Sequence, residues 1–484
     1  MKIKVMKFGG TSVGDAGCFR RSARIVSEAA QSDRIVVVVS AMSGVTNRLV
    51  NVAERSALGD QSAARELATE LEREHLNAIN ELLQPGQQLD HLGSELSQII
   101  SEMSKVCQGI ALLRELTPRA RAAVSCIGER LSARMMAALL CQQGTHSDAI
   151  EATELIITDG EYNQAEPLMD HVRRRVAERL RPLFADGVVP VVTGFIGATT
   201  DGVLTTLGRG GSDYSATTLG AGLDANEVII WTDVDGVLTA DPRLVPTARL
   251  LREISYNEAA ELAYFGAKVL HPKTLRPVVE GGIPVSIRNS FAPEKEGTRI
   301  TRRGRPTKNG VRGITAINNV SLITVGGRGI VGLVGVAART FSAVADAKSN
   351  VLLISQASSE NDICLIVDSS DAQRTVDCLR RAFATDLAHH DVEHITLRSE
   401  VAIVAVVGER MRGTPGIAGR MFSALGDKGI NIIAIAQGSS EYNISFVIEA
   451  DVTSEAVNTI HDEFGLSIAS DVESIGVDTT DNLA

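Results

Sequence analysis

A lysine and two adjacent glycines follow the first apolar run of the chain. Residues 5–13 read VMKFGGTSV, which places Lys7 just before Gly9 and Gly10. Adjacent glycines often make only a tight turn, because glycine reaches positive φ without steric strain. A bare backbone can also cradle a phosphate, with N–H groups approaching the anion while a lysine adds positive charge. This stretch alone does not decide between the two interpretations.

A second glycine-rich segment favours the phosphate interpretation. Residues 205–223 read TTLGRGGSDYSATTLGAGL, with Arg209 between glycines, Ser212 expected as the N-cap of a helix and Asp213 opening that helix. The N-terminus of a helix presents free N–H groups to an anion. A capped helix after a flexible loop is the alternative, but it leaves an arginine between glycines unexplained.

Other polar clusters follow apolar runs that we predict to be strands. SAMSGVTN at 40–47 offers hydroxyls around a glycine, WTDVDGVLTADPR at 231–243 offers carboxylates and an arginine, and Glu129 lies in the predicted first turn of a helix. Each cluster has a structural explanation of its own, such as an Asp-Gly turn or an acid that complements the helix dipole. In open α/β sheets, however, ligands bind at the carboxyl ends of the strands. We therefore expect one sheet edge to gather these clusters into a nucleoside triphosphate site, although neither GxxxxGK[ST] nor a kinase-type HRD or DFG signature is present.

The elements that must position these clusters alternate along the chain. IKVMKF, RIVVVVSAM, VVPVVTGF and NEVIIWTD are β-branched runs flanked by turn residues, whereas residues 51–143 are rich in Ala, Leu, Glu and Arg at helical spacing. This alternation predicts an α/β three-layer sandwich with a mainly parallel sheet. Further along, Ser255 and Glu258 predict a capping box, the helix ends at Gly266, and Pro272 begins the next helix.

An internal repeat occupies the C-terminal part of the chain. Residues 320–368 match 401–449 in register and without a gap. Each copy predicts a strand, a glycine-rich loop, an amphipathic helix and a second strand that ends in Gln-x-Ser-Ser-Glu. Two copies are too few for a solenoid, so we expect two small α+β modules that pack on each other.

Composition excludes several function classes. A chain of 484 residues is too long to fold around a single hydrophobic core, so several domains are expected. A net charge of −11 argues against a nucleic-acid-binding protein. The six cysteines lie far apart, which favours reduced thiols. No run reaches the roughly 18 to 20 apolar residues of a membrane span. We therefore expect a soluble, cytoplasmic protein with neither a nucleic-acid partner nor a membrane partner.

Six ordered motifs resemble the aspartokinases of the amino-acid kinase family, and the repeat resembles the paired ACT domains of that family. The motifs are KFGGTSV, SAMSGVTN, GRGGSDYSA, WTDVDGV, TADPR and FGAKVLHP. ISQASSE and IAQGSSE resemble most the aspartokinase part of the fused aspartokinase–homoserine dehydrogenases. The resemblance implies ATP-dependent phosphorylation of the L-aspartate β-carboxylate to 4-phospho-L-aspartate, the first step toward lysine, threonine and methionine. Because the sequence ends at Ala484, we expect the kinase without the dehydrogenase.

The resemblance also assigns roles to residues. Lys7 would stabilise the transferring phosphoryl group, and Asp213 would orient that lysine without acting as a base. The implied contacts with aspartate are Ser40, Thr46, Glu129 (to the ammonium), Arg209 (to a carboxylate) and Ser212. The implied contacts with ATP are Lys7, Phe8, Gly9, Gly10, Thr232, Asp233, Leu238, Arg243, Lys268 and Val269. Family members often have tyrosine where this chain has Leu238.

No protein metal site is expected. Mg2+ would be held mainly by the phosphates of ATP. HHDVEH at 389–394 could suggest metal ligands, but a surface turn between modules explains it better, since no third ligand is apparent.

For the repeat, the resemblance implies an allosteric amino-acid site between the ACT modules. The effector contacts would be Asn350, Gln356, Asn431 and Gln437, with threonine favoured and lysine as the alternative. A homodimer or larger homo-oligomer through the ACT modules is also implied.

Two alternatives remain open. One is another enzyme of the superfamily, such as an acetylglutamate kinase, which should lack Glu129 in this context and the ACT pair. The other is a catalytically inactive amino-acid sensor, against which the intact Lys7 and Asp213 argue.

The predicted boundaries follow from these assignments. They are 1–292 for the catalytic domain, 293–310 for a charged linker, 311–398 for the first ACT module, 399–471 for the second, and 472–484 for a tail that could complete the first module.

Overall fold

The structure is a computed structural model that forms two compact units. It describes residues 1–266, 270–305, 307, 310–327, 334–356, 362–411, 413–438 and 442–468. The first unit comprises Met1–Val237, Leu250–Ala260 and Lys268–Gly304, and the second comprises Leu238–Arg249, Glu261–Ala267 and Arg305–Ala484. Two stretches of the predicted catalytic domain, 238–249 and 261–267, therefore group with the second unit.

In the part of the first unit that the structure describes, eleven strands form two sheets. They are β1 (Ile3–Phe8), β2 (Arg34–Val39), β3 (Ser147–Ile150), β4 (Ile157–Thr158), β5 (Val189–Thr193), β6 (Ile196–Thr199), β7 (Leu204–Thr206), β8 (Glu227–Thr232), β9 (Glu253–Ser255), β10 (Val285–Asn289) and β11 (Thr298–Thr301). The large sheet has the order β3-β5-β2-β1-β8-β10-β11-β9, and the small one is β4-β6-β7. Every neighbouring pair in the large sheet is parallel except β10 with β11, which confirms the predicted mainly parallel sheet.

Helices cover both faces of the large sheet. They are α1 (Ala16–Ala30), α2 (Val45–Ala57), α3 (Ala63–Leu82), α4 (Gln87–Leu113), α5 (Pro118–Ser125), α6 (Ile127–Gln142), α7 (Met169–Ala185), α8 (Gly211–Gly222), α9 (Tyr256–Tyr264), whose last residues group with the second unit, and α10 (Pro272–Gly281). One face of the sheet, with Phe8 and Val37, shares a core with α1 to α6. On the other face a Cβ at Gly220 of α8 would meet Val228 at 2.5 Å. Because both faces are buried, the central strands are almost continuously apolar, and the predicted three layers are confirmed.

The predicted linker is wrong in its first part. Residues 298–301 form β11, which pairs with β10 and has Ile300 fully buried. The reason is a period-two alternation of buried and exposed residues inside a segment whose overall charge suggested a solvated connection.

Within its described residues, the second unit contains one six-stranded antiparallel sheet and five α-helices. Its elements are β12 (Gly313–Gly326), α11 (Val336–Asp346), β13 (Val351–Gln356), β14 (Asp362–Asp368), α12 (Ser369–Ala382), α13 (Ala384–His389), β15 (His394–Val407), α14 (Ile417–Asp427), β16 (Ala434–Ala436), β17 (Asn443–Glu449) and α15 (Thr453–Glu463). The strand order is β13-β14-β12-β15-β17-β16. Two separate cores, one under α11 and α12 and one under α14 and α15, confirm the two predicted modules.

Each of the two modules contributes part of a strand to the core of the other module, which the predicted boundaries did not anticipate. The long strands β12 and β15 pair over both modules. As a result Ile314 packs in the core of the second module, and Ile395 packs in the core of the first. A break between 398 and 399 therefore does not separate the two cores. The tail at 472–484 lies outside the described residues.

The described residues offer neither a membrane-spanning helix nor a cluster of metal ligands. Among them, no helix is both long and apolar enough to cross a membrane. The same part of the chain holds no group of three or more His, Cys, Asp or Glu side chains arranged to bind a metal ion. In HHDVEH, His389 ends α13, His390 has a φ of +62°, and His394 begins β15.

Candidate active site

The carboxyl ends of three adjacent parallel strands form the floor of a large cleft in the first unit. Phe8 at the end of β1 pairs with Val39 of β2 and with Trp231 of β8. The residues that follow these strands therefore meet at one edge of the sheet. The cleft has a volume of about 980 Å³, near the upper end of the range of about 300–1,000 Å³ found for small-molecule sites.

Most of the predicted site residues line this cleft. They are Lys7, Gly9, Gly10, Ser40, Thr46, Glu129, Arg209, Ser212, Asp213, Thr232 and Asp233. They come from five separate stretches of the sequence, and the parallel sheet brings all five together.

Lys7 forms an ion pair with Asp213 in the cleft. The Lys7 ammonium contacts Oδ1 of Asp213, and the two side chains are only 10% and 15% exposed. A nearly buried ion pair is screened weakly by solvent, so it fixes the lysine firmly. The pair joins the end of β1 to the first turn of α8.

The backbone after Lys7 packs closely against its neighbours, most tightly at Gly10. A Cβ at Gly9 would lie 3.4 Å from the Nζ of Lys7, and one at Gly10 would lie 3.0 Å from the carbonyl oxygen of Ala41. The N–H of Gly9 donates to the carbonyl of Trp231 at 3.1 Å. The two glycines thus bring the backbone close to the lysine, while Gly9 also ties the loop to β8.

Helix α8 begins earlier than predicted, so the assignment of Ser212 as N-cap is wrong. The helix begins at Gly211, and its N-cap is Gly210, which has a φ of +69°. A Cβ on Gly210 would also meet the Cβ of His271 at 2.9 Å. Ser212 and Asp213 therefore both lie in the first turn, where backbone N–H groups have no partner within the helix and attract an anion.

Glu129 is a buried acid in the first turn of α6. It is 3% exposed, and its Oε2 has no hydrogen-bond partner among the described residues. Burial raises the pKa of this carboxyl to about 8, and backbone N–H donors and the nearby Lys7 oppose that shift only in part. An unpaired buried carboxylate would gain from a cationic ligand group.

Arg209 provides a second positive charge in the cleft. It is exposed in the cleft and makes no ion pair or hydrogen bond with the residues that the structure describes. Its position between two glycines of positive φ, Gly208 and Gly210, leaves the guanidinium accessible. Such a side chain can form two parallel hydrogen bonds with a carboxylate.

Thr232 and Asp233 extend the cleft beyond the end of β8. The hydroxyl of Thr232 donates to Asp233 at 3.1 Å. Two residues on, Asp235 accepts from Lys295 at 2.6 Å and from Asn289 at 2.7 Å, and the ion pair with Lys295 lowers the pKa of that aspartate. The loop after β8 is therefore held by the amide of Asn289 at the end of β10 and by the charge of Lys295, which follows that strand.

Five of the predicted ATP contacts are not placed in this cleft. The side chain of Phe8 is fully buried and stacks on Trp231, so only its backbone could approach a ligand. Leu238 and Arg243 belong to the second compact unit, where Arg243 pairs with Asp241. Lys268 and Val269 lie outside the described residues.

The predicted effector residues lie near the ends of equivalent strands in the second unit. Gln356 ends β13, while Gln437 follows β16, and both side chains are exposed. These strands approach each other, since the hydroxyl of Ser355 donates to the carbonyl of Ile435 at 3.0 Å. Asn350 directly precedes β13, and Asn431 lies three residues before β16.

Sequence reasoning missed several residues of the cleft. Asn163 and Phe195 both line it. Gly128 lets α6 approach the loop after β2, because a Cβ there would meet the Cβ of Ala41 at 2.5 Å. The Gly-Phe pair directly after the buried run VVPVVT was the one signal that could have indicated Phe195.

Comparisons with known proteins agree with this geometry. Residues 2–289 match the amino acid kinase family, and residues 323–383 and 404–464 match an ACT domain. The chain is 37% identical over 463 residues to a bifunctional aspartokinase/homoserine dehydrogenase of Haemophilus influenzae, covering 95% of this chain and 56% of that protein. It is 34% identical over 474 residues to the chloroplastic aspartokinase 1 of Arabidopsis thaliana, covering 95% of this chain and 80% of that one.

A solved structure matches both units. E. coli aspartokinase III in complex with aspartate and ADP has a TM-score of 0.79 and 30% identity, over 96% of this chain and 99% of the other. The same enzyme with lysine and aspartate matches equally well. The chain spans about half the length of the bifunctional relatives. The family match, the relative with 34% sequence identity and this solved structure lead to one conclusion. The chain belongs to the aspartokinases of the amino acid kinase family, with a repeated ACT domain.

Proposed function

We propose that this chain transfers the γ-phosphoryl group of ATP to the β-carboxylate of L-aspartate, giving 4-phospho-L-aspartate. The observation that carries the proposal is a single cleft in which the Lys7–Asp213 ion pair lies with a buried acid and a free arginine. Its support from relatives is the aspartate and ADP bound by E. coli aspartokinase III.

The charges of the cleft suit an amino acid that carries two carboxylates. Glu129 would accept the ammonium group, which favours the ionised form of this buried carboxyl. Arg209 would bind the α-carboxylate through its planar fork. Ser40, Thr46 and Ser212 line the same cleft and would complete the aspartate site with hydroxyl groups. The β-carboxylate is then left to face the phosphates.

The transfer needs positioning and charge neutralisation, not a general base. A carboxylate with a reference pKa near 4 is already ionised at neutral pH. Its oxygen attacks the γ-phosphorus while the bond from that phosphorus to the β–γ bridging oxygen breaks, and ADP leaves with that electron pair. Lys7 would neutralise charge on the moving phosphoryl group, and Asp213 would hold the lysine in place. Mg2+ would be bound mainly by the phosphates of ATP.

The other predicted site residues that line the cleft are assigned to ATP because they follow β1 and β8. Gly9, Gly10, Thr232 and Asp233 lie in the cleft and would contact ATP. The backbone of Phe8 and the side chains of Leu238, Arg243, Lys268 and Val269 are proposed contacts that rest on family resemblance alone.

We further propose that the ACT modules bind an amino-acid effector through Asn350, Gln356, Asn431 and Gln437. Its support is the approach of β13 to β16, which brings equivalent residues of the two modules into one region. We favour threonine because both glutamines are present, as in the fused enzymes. Lysine, which E. coli aspartokinase III binds, is the alternative. A homodimer or larger assembly through these modules is expected.

One assay tests the proposed reaction and distinguishes it from the two alternatives, another amino acid kinase and an inactive sensor. The acyl phosphate is trapped with hydroxylamine after incubation with ATP, Mg2+ and one acceptor: aspartate, N-acetyl-aspartate, N-acetyl-glutamate or none. We expect a product with aspartate only. A product with N-acetyl-glutamate would identify a different amino acid kinase, and no product in any arm would favour an inactive sensor.

The effector is tested in the same assay. Threonine and lysine are titrated separately at fixed substrate concentrations. Inhibition by threonine supports the assignment, whereas inhibition by lysine alone overturns it. Size-exclusion chromatography with light scattering measures the oligomeric state in the same samples. A monomer at every protein concentration would contradict the expected assembly.

A further inference from the structure

Phe195 has a strained backbone and faces the cleft. Its φ is +70°, a value that bulky L-residues rarely adopt. Of the non-glycine residues with positive φ in the described ranges, it alone lines the cleft. Strain of this kind persists only where the surroundings enforce it, and it concentrates at functional sites.

A buried hydroxyl holds this turn. The N–H of Phe195 donates to Oγ of Ser215 at 2.9 Å, and that hydroxyl donates to the carbonyl of Gly211 at 3.0 Å. Ser215 is fully buried in the second turn of α8. A serine hydroxyl has one proton and two lone pairs, so it can make both bonds at once. It therefore links the turn after β5 to the beginning of α8.

The turn and the helix are in direct contact. A Cβ on Gly211 would meet the Cδ2 of Phe195 at 2.5 Å, and a Cβ on Gly194 would meet the side chain of Ser212 at 2.8 Å. The residue before Phe195 thus lies against Ser212, in the helical turn that also carries Asp213. Any relaxation of the Phe195 turn would change the shape of this end of the cleft.

We propose that Ser215 is a positioning residue for the aspartate end of the cleft, where it holds Phe195 in place against the first turn of α8. The proposal rests on the proposed function, because it concerns the site for the acceptor. Ser215 is not among the residues that line the cleft. Without its hydroxyl the N–H of Phe195 loses its partner, and the turn relaxes toward an ordinary negative φ.

The proposal predicts a selective kinetic defect. Ser215→Ala should raise the KM for aspartate about tenfold, while the KM for ATP changes less than twofold, since the cleft residues assigned to ATP by position, Gly9, Gly10, Thr232 and Asp233, lie after β1 and β8. Ser215→Cys replaces the hydroxyl with a slightly larger thiol that forms weaker hydrogen bonds, and it should raise the aspartate KM by a smaller factor. This second variant carries the test if the alanine variant does not fold.

The matched control is Thr218→Val on the same helix. The hydroxyl of Thr218 is also buried, but it has no hydrogen-bond partner within the described part of the chain. Removing it should leave both KM values within twofold of those of the original protein.

A double variant separates positioning from general packing. Glycine adopts a positive φ without strain, so in a Phe195→Gly background the loss of the Ser215 hydroxyl should raise the aspartate KM less than twofold further. A role in packing alone would give the same factor in both backgrounds.

The outcomes distinguish this proposal from the proposed function. If the unmodified chain forms no acyl phosphate from aspartate, the function fails. If it does and Ser215→Ala leaves the aspartate KM unchanged, or raises both KM values equally, the role of Ser215 is refuted. Calorimetric titration with aspartate should show the same tenfold loss of affinity in Ser215→Ala.

Discussion

The ammonium of Lys7 at the end of β1 contacts the carboxylate of Asp213 in the first turn of α8. The two residues lie far apart in the sequence, and the sheet brings one strand end and one helix end together. This contact places a fixed positive charge next to a helix N-terminus, which is the arrangement that a transferring phosphoryl group requires.

Replacement of Lys7 should remove nearly all turnover without unfolding the protein. We expect Lys7→Ala to lower kcat by about 10³-fold, because one preorganised cation at a developing charge contributes on that scale. Hydroxylamine trapping measures the rate, and circular dichroism measures the fold. Lys4→Ala is the matched control: Lys4 lies on the same strand but pairs with Asp33 at 2.7 Å, away from the cleft. Near-normal turnover of Lys7→Ala would refute its assigned role.

Aspartate binding should depend on pH through Glu129. Its pKa is about 8 in the folded protein against 4.5 for an ordinary glutamate, so at pH 7 the free protein holds a proton there. A bound ammonium favours the carboxylate, and binding therefore releases that proton. The Kd for aspartate should fall with rising pH by up to about tenfold per unit below pH 8, and level off above it.

Calorimetry between pH 6 and 9, in two buffers of different ionisation enthalpy, measures both the Kd and the proton release. Glu129→Gln should bind aspartate about 10²-fold more weakly, since a charged hydrogen bond to a buried group is lost, and its affinity should no longer follow pH in this range. A flat profile for the unmodified protein would contradict the assignment.

Gly128 should tolerate no side chain. A Cβ there would meet the Cβ of Ala41 at 2.5 Å and Cγ1 of Val45 at 3.0 Å, so Gly128→Ala pushes the start of α6 away from the loop after β2. Overpacking of this kind costs about 1–3 kcal/mol, and it should also raise the aspartate KM by displacing Glu129. Denaturant unfolding measures the first effect.

Gly109→Ala is the control for that prediction. Gly109 lies inside α4, and no heavy atom lies within 4 Å of a Cβ placed there. Alanine should stabilise the helix by about 0.5–1 kcal/mol, because glycine is the poorer helix former. Equal effects at the two positions would show that crowding against Ala41 is unimportant.

The glutamines of the ACT modules should set the response to the effector. In Gln356→Ala combined with Gln437→Ala, the threonine concentration for half-inhibition should rise at least about tenfold, since two hydrogen bonds of about 0.5–1.5 kcal/mol each are removed. Turnover without threonine should not change. Gln373→Ala on α12 is the control, because the side chain of Gln373 donates to Asp377 on the same helix. Unchanged inhibition of the double variant would exclude both glutamines from the site.

The sequence by itself determined the local elements and the chemistry they carry. The run IVVVV at 35–39 is apolar at every position, which is typical of a strand buried on both faces, and the Ser255–Glu258 capping box formed as its spacing indicates. The glycine-rich loops and the internal repeat could also be predicted from the sequence. A backbone that must be accessible needs glycine, and a duplicated module repeats the same residue types at the same spacing.

Only the tertiary structure decided what depends on contacts between distant segments. Charge suggested that 298–301 was solvated, but pairing with β10 makes it a strand. Ile314 and Ile395 belong to the cores of opposite modules, which no local pattern could show, because the exchange is set by the pairing of β12 with β15. The raised pKa of Glu129 and the strained turn at Phe195 arise from burial and from a hydroxyl on another element. Residue type and spacing encode local geometry, whereas desolvation and strain exist only once the chain has packed.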